Sequence, residues 1–175
     1  MGRRLGLFAA LAAGVVAIAL PSGAGAAASH GGCSVSGTAN FTPGLLVTKQ
    51  AVSYTFSGTL SNCAGTNNAK NITHGTVTAS GSGSSVGCTG GNTTGSATIN
   101  WLDKSGATVG SSVYSFKTTG ALNEVLVQGT FTSGLFAGQA AKSDLVFTVA
   151  NPTACNAKVG SPGVTSATFK GASEF

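Results

Sequence analysis

The stretch "TGSATINWLDKSGATVGSSVYSF", Thr94 to Phe116, holds the chain's only tryptophan and one of its two tyrosines among Gly, Ser, Thr and Ala. Ala97, Ile99 and Trp101 fall on alternate positions, which puts them on one face of an extended strand. Asp103 to Gly106 has turn chemistry, and Val109 to Phe116 read as the returning strand. The segment therefore predicts a β-hairpin rather than an exposed aromatic site. Trp101, at the strand end before the turn, either closes a core or shows an edge to solvent. Core closure is the expectation, because a large aromatic offers more apolar burial than any other side chain here.

The same period of two runs outward from the hairpin in both directions. Val35, Gly37, Ala39 and Phe41 alternate with Ser34, Ser36, Thr38 and Asn40, and Val52, Tyr54, Phe56, Gly58 and Leu60 alternate with Ser and Thr. It returns in Val125, Val127 and Phe131 and in Leu145, Phe147 and Val149, with weaker versions at Asn71 to Ala79, Ser84 to Cys88 and Val164 to Lys170. Alternation of this kind marks strands with one dry and one wet face, and a chain rich in Thr, Val, Ser and Gly is unfavourable to helices. The expected fold is all-β: about nine strands in an antiparallel β-sandwich or a closed barrel, two architectures with the same alternation.

Ahead of this domain, Arg3 and Arg4 precede an apolar run from Leu5 to Leu20, Pro21 and the small-residue site Ala24-Gly25-Ala26. That order predicts a secretory signal over residues 1–26, cleaved after Ala26 or alternatively Ala28, and a single domain over 27–175. The run is short for a membrane span. Both arginines leave with the leader, so seven lysines face four carboxylates, a net charge of +3. Scattered lysines without arginine read phosphate poorly, which argues against a nucleic-acid partner.

Cys33, Cys63, Cys88 and Cys155 form an even set bound for an oxidising compartment, so two disulfides are expected. Zinc is the competing reading, but metal knuckles need close cysteine pairs. Of three connectivities, Cys33 with Cys63 and Cys88 with Cys155 is preferred, because a turn near Gly44 to Thr48 brings the ends of the first two strands together. Parity places Cys63 on the face opposite Leu60, so this pairing requires a bulge or an irregular strand end.

Catalytic groups are few. His30 lies in the mature terminus and His74 is read as a strand residue; a Ser or Cys nucleophile needs a base held by a third group, and no G-x-S-x-G elbow is present. Asp103 sits in a turn, Glu174 near the end, and Glu124 out of phase with Val125 and Val127, a poor arrangement for paired-carboxylate chemistry or for a calcium loop. The glycines from Gly87 to Gly95 lack G-K-[ST] and read as a turn. The expectation is a non-enzyme with no metal and no cofactor. Three N-x-[ST] matches at Asn40, Asn71 and Asn92 are what chance supplies in such a composition.

One feature stands apart. "FTPGLL" (Phe41 to Leu46) and "FTSGLF" (Phe131 to Phe136) are near-repeats, each with two apolar residues where a polar loop should follow a strand. Leu45, Leu46, Leu135 and Phe136 either plug the ends of the fold, the favoured reading, or form an apolar rim that binds a ligand.

The runs "CSVSGTANFTPGL", "YTFSGTLSNC", "TVTASGSGSSVGCTGG", "TGSATINW" and "GVTSATFKG" resemble small secreted four-cysteine all-β proteins of actinobacterial type. The resemblance spans nearly all of the mature domain; it implies export, a sandwich-like fold and two disulfides, and brings no catalytic residues. The functional expectation is an exported, extracellular, non-enzymatic β-domain with a binding or surface-associated structural role, its partner a small apolar ligand or a cell-surface component. The alternatives are a carrier of a small apolar ligand and a secreted protease inhibitor using the loop around Asn62 to Asn68.

Overall fold

Among the described residues, alternating apolar and hydroxyl side chains form eight strands: β1 (Gly32–Leu45), β2 (Gln50–Ala64), β3 (Ile72–Gly87), β4 (Gly90–Asp103), β5 (Thr108–Ala121), β6 (Glu124–Gly134), β7 (Ala140–Thr148) and β8 (Val164–Glu174). A 3-10 turn, Pro152–Asn156, interrupts the β7–β8 connection. The computed structural model describes residues 31–65, 71–121 and 123–175. The expected leader, its cleavage site and His30 lie outside the described residues.

The hairpin forms as its alternation requires. β4 and β5 pair antiparallel with Ala97 opposite Tyr114 and Trp101 opposite Gly110. Asp103 shapes the turn: its carboxylate accepts from the Ser105 hydroxyl at 2.6 Å and from the backbone N–H of Ser105 and Ala107 at 2.8 and 3.1 Å. Those donors favour the ionised form and hold this carboxyl below its usual range, the Ser105 hydroxyl contributing most.

Each strand pairs antiparallel with the next, and β8 pairs back onto β1, Ala167 opposite Ala39, so the sheet is a closed barrel and not a sandwich. The count is eight rather than nine because the weak runs at Asn71 to Ala79 and Ser84 to Cys88 are one strand. The Ser80–Ser85 segment between them has turn-like composition yet stays extended as part of β3. Gly81 faces inward there, and the Tyr54 ring lies over its bare backbone. The expected turn from Gly87 to Gly95 is likewise shorter: only Cys88 and Thr89 separate β3 from β4, and Gly90 to Gly95 already belong to the strand.

Both disulfides, Cys33–Cys63 and Cys88–Cys155, are present. The bulge that the first one needs is there too. Gly32 pairs with Ala64 but Ser34 pairs with Ser61, so the second strand carries an extra residue at this point, and Asn62 takes a left-handed conformation (φ 51°).

The dry face forms the barrel interior. At the end where β4 and β6 finish, Trp101, Phe131, Phe136 and Phe175 make an aromatic floor, with ring centroids between 4.9 and 6.4 Å apart. Trp101 is fully buried, and its indole N–H donates to the Ser112 hydroxyl at 2.9 Å. The opposite end has a smaller cluster of Leu45, Val52 and Val164, beside Cys88 and Cys155. Outward rows are Ser, Thr, Asn and Lys, with cross-strand contacts such as Ser36 to Thr59 at 3.2 Å.

Candidate ligand-binding lumen

Eight strands enclose an interior that side chains just fill or that holds one small ligand. This interior is not filled. A cavity of about 180 Å³ runs inside the barrel above the aromatic floor. Its walls include Phe56, Phe116, Val127, Leu145, Phe147 and Phe169, and its lining reaches Gly90, Gly91 and Gly120 at the strand ends opposite the floor. Phe56, Val127, Leu145, Phe147 and Phe169 point inward yet are only half-buried, as side chains around a hollow must be.

Glycine creates part of this space by letting rings lie flat against the wall. A Cβ on Gly95 would meet the Phe116 ring at 2.7 Å. Phe169 packs edge-on against Phe56 at 6.2 Å and stacks on Phe147 at 5.7 Å, so three strands share one aromatic wall.

Polar groups reach the lumen at Tyr114, Ser143 and Ser173 and, near the strand ends opposite the floor, as a linked cluster. The Tyr54 phenol is 3.1 Å from the Thr93 hydroxyl, which is 2.7 Å from the Thr118 hydroxyl. All three line the cavity. Burial pushes the Tyr54 phenol above its ordinary pKa, with the bond to Thr93 opposing part of that rise. Tyr114, lower in the barrel, donates to the Ala141 carbonyl at 3.0 Å, and burial pushes its phenol up strongly. None of the described residues lining the cavity carries a formal charge at neutral pH.

The four apolar loop residues named from sequence part into two pairs. Leu45 and Leu46 are buried at one end, Leu45 on the cavity wall. Leu135 and Phe136 lie at the other end and pack against the core, Leu135 covering Gly110 and Phe136 standing edge-on to Trp101 at 5.1 Å. They do not meet in a common rim. Of the loop around Asn62 to Asn68, residues 66–68 lie outside the described residues.

The remaining titratable groups among the described residues are absent from the cavity lining. His74 is exposed on β3, its ring 2.7 Å from the Thr73 hydroxyl. Lys142 pairs with Asp144 at 2.9 Å across exposed surface, and that partner raises the lysine pKa. Among the described residues no three of His, Cys, Asp and Glu gather to hold a metal ion, and no helix is long and apolar enough to cross a membrane.

Sequence reasoning missed the Tyr54–Thr93–Thr118 cluster. The parity was readable, since Thr93 shares its phase with Ala97, Ile99 and Trp101, and Thr118 shares its phase with Tyr114 and Phe116. What the sequence does not carry is the register that brings three strands' hydroxyls together. Comparison with known proteins finds no family model, no curated protein and no solved structure that matches the chain, so its functional reading rests on this lumen.

Proposed function

We propose that this is an exported, non-enzymatic binding protein that carries one small apolar molecule inside its barrel. The observation that supports it is the cavity of about 180 Å³ walled by phenylalanine, leucine and valine. An apolar cavity of about 150 Å³ in a protein core takes up benzene. The space here suits a single ring bearing a few further heavy atoms. The leader expected from sequence and the two disulfides support a role outside the cell, where such bonds persist.

Native mass spectrometry of protein purified from culture medium, followed by uptake of cumene in solution, tests the reading. Wild-type protein is expected to bind cumene saturably. Ala79→Leu, which places a larger side chain on the cavity wall, should abolish uptake while circular dichroism keeps its strand spectrum. Absence of cumene binding by the wild type, or uptake undiminished in a folded Ala79→Leu, would overturn it.

A further inference from the structure

Resting on that reading of the lumen, we infer that its ligand is an uncharged molecule with one hydrogen-bond-accepting oxygen, held by the Thr118 hydroxyl at the end of the Tyr54–Thr93–Thr118 chain.

Three hydroxyls bring three protons, and the two links of the chain, at 3.1 and 2.7 Å, use two of them. One proton is left over, and among the described residues the chain makes no further hydrogen bond that would take it. A donor left without an acceptor on an apolar cavity wall is costly, whereas a ligand oxygen arriving there satisfies it.

Which hydroxyl keeps the spare proton follows from acidity. A phenol donates more readily than an aliphatic alcohol and accepts less readily, so the chain runs from Tyr54 to Thr93 to Thr118, each bond polarising the next. Burial keeps the phenol protonated and able to start the chain. Geometry agrees: Thr93 is only 8% exposed, while Thr118 is half-buried on the cavity wall. Beside it in the inward row stands Gly120, where even an added Cβ would meet nothing closer than 3.5 Å. A carbonyl, ether or hydroxyl oxygen has room at that point.

The lining also sets what is refused. With no cation on the cavity wall, an ionised carboxylate would be stripped of water without a partner, and an ammonium would fare no better. The lumen therefore separates neutral oxygenated rings from the corresponding acids.

Acetophenone, cumene and benzoate have nearly the same shape and differ at one group, so they serve as probes. Calorimetry should show that Thr118→Val weakens acetophenone about fivefold to tenfold, the net worth of one hydrogen bond, and leaves cumene unchanged or slightly tighter. Each probe is compared with itself, so the difference in their intrinsic hydrophobicity cancels. Thr118→Ser should restore acetophenone binding. In the wild type, without any substitution, the infrared carbonyl band of bound acetophenone should lie below its position in hexane. Benzoate should show no saturable binding at pH 7. Equal losses for acetophenone and cumene, a bound carbonyl band at the hexane position, or saturable benzoate binding would overturn the anchor while cumene uptake preserved the lumen reading. Failure of both neutral probes to bind would overturn the two together.

Discussion

Tyr54 reaches its hydrogen-bond partner on β4 by lying across Gly81 of β3: a Cβ on that glycine would meet the phenol oxygen at 2.6 Å and the ring at 2.7 Å. The glycine is thus a seat for the ring. Gly81→Ala is expected to lower the unfolding free energy by about 1–3 kcal/mol, the usual range for overpacking. Urea denaturation measures it. Part of the loss should disappear in a Tyr54→Leu background, the rest remaining because the added Cβ would also meet the Thr94 carbonyl at 2.7 Å, and an additive pair would contradict the contact.

The Trp101 indole is fully buried and its N–H has the Ser112 hydroxyl as acceptor at 2.9 Å. Ser112→Ala strands that donor, so a loss of about 1–3 kcal/mol is expected from chemical denaturation. An unchanged denaturation midpoint would mean that another acceptor replaces it.

Phe136 supports the same floor under backbone strain. Its φ of 88° lies in the left-handed region, unfavourable by about 1–3 kcal/mol for a bulky residue. Its ring packs among Trp101, Phe131 and Phe175, which offsets that strain. Phe136→Ser should therefore lower the thermal midpoint clearly, while Phe136→Gly recovers part of the loss by relieving the backbone. Cumene uptake at a temperature where both variants are folded should match the wild type, since Phe136 is not among the residues that line the cavity. Loss of uptake with an unshifted melt would instead make Phe136 a ligand contact.

Alkaline pH should unfold the protein for a definable reason. Both of the chain's tyrosines are inward, and burial raises both phenols above their ordinary 10.0. The folded protein then holds protons that the unfolded chain releases, so the contribution is intact below pH 10 and is lost as pH climbs from there toward the raised values. Phenolate absorbance is expected to stay low in the folded protein past pH 10 and to appear together with loss of the strand signal. Phenolate forming well before unfolding would show that the rings are hydrated.

Much of the barrel is legible in the chain because alternation is a local property. Val35, Ala39, Tyr54, Phe56 and Trp101 all stand on the predicted dry face, and the displaced parity of Cys63 pointed to the bulge beside Asn62. Composition misled where glycine serves packing instead of turning, as at Gly81 and Gly95, and there one strand was read as two. Closure was not legible: pairing of Ala39 with Ala167 joins the first strand to the last, and nothing in either segment names its distant partner. The lumen was hidden for the same reason. A gap among Phe56, Phe147 and Phe169 exists only once the strands are in register, and the apolar residues singled out instead, such as Leu46 and Phe136, finish the ends.

The β1–β8 seam has a further consequence. Among the described residues, a sheet that bites its own tail leaves no unsatisfied row of peptide groups along a border, so strand addition, by which β-proteins aggregate or capture extended peptides, has no purchase on the barrel. Concentrated solutions should resist fibril formation through the barrel strands, and a macromolecule that recognises the barrel wall must do so through side chains.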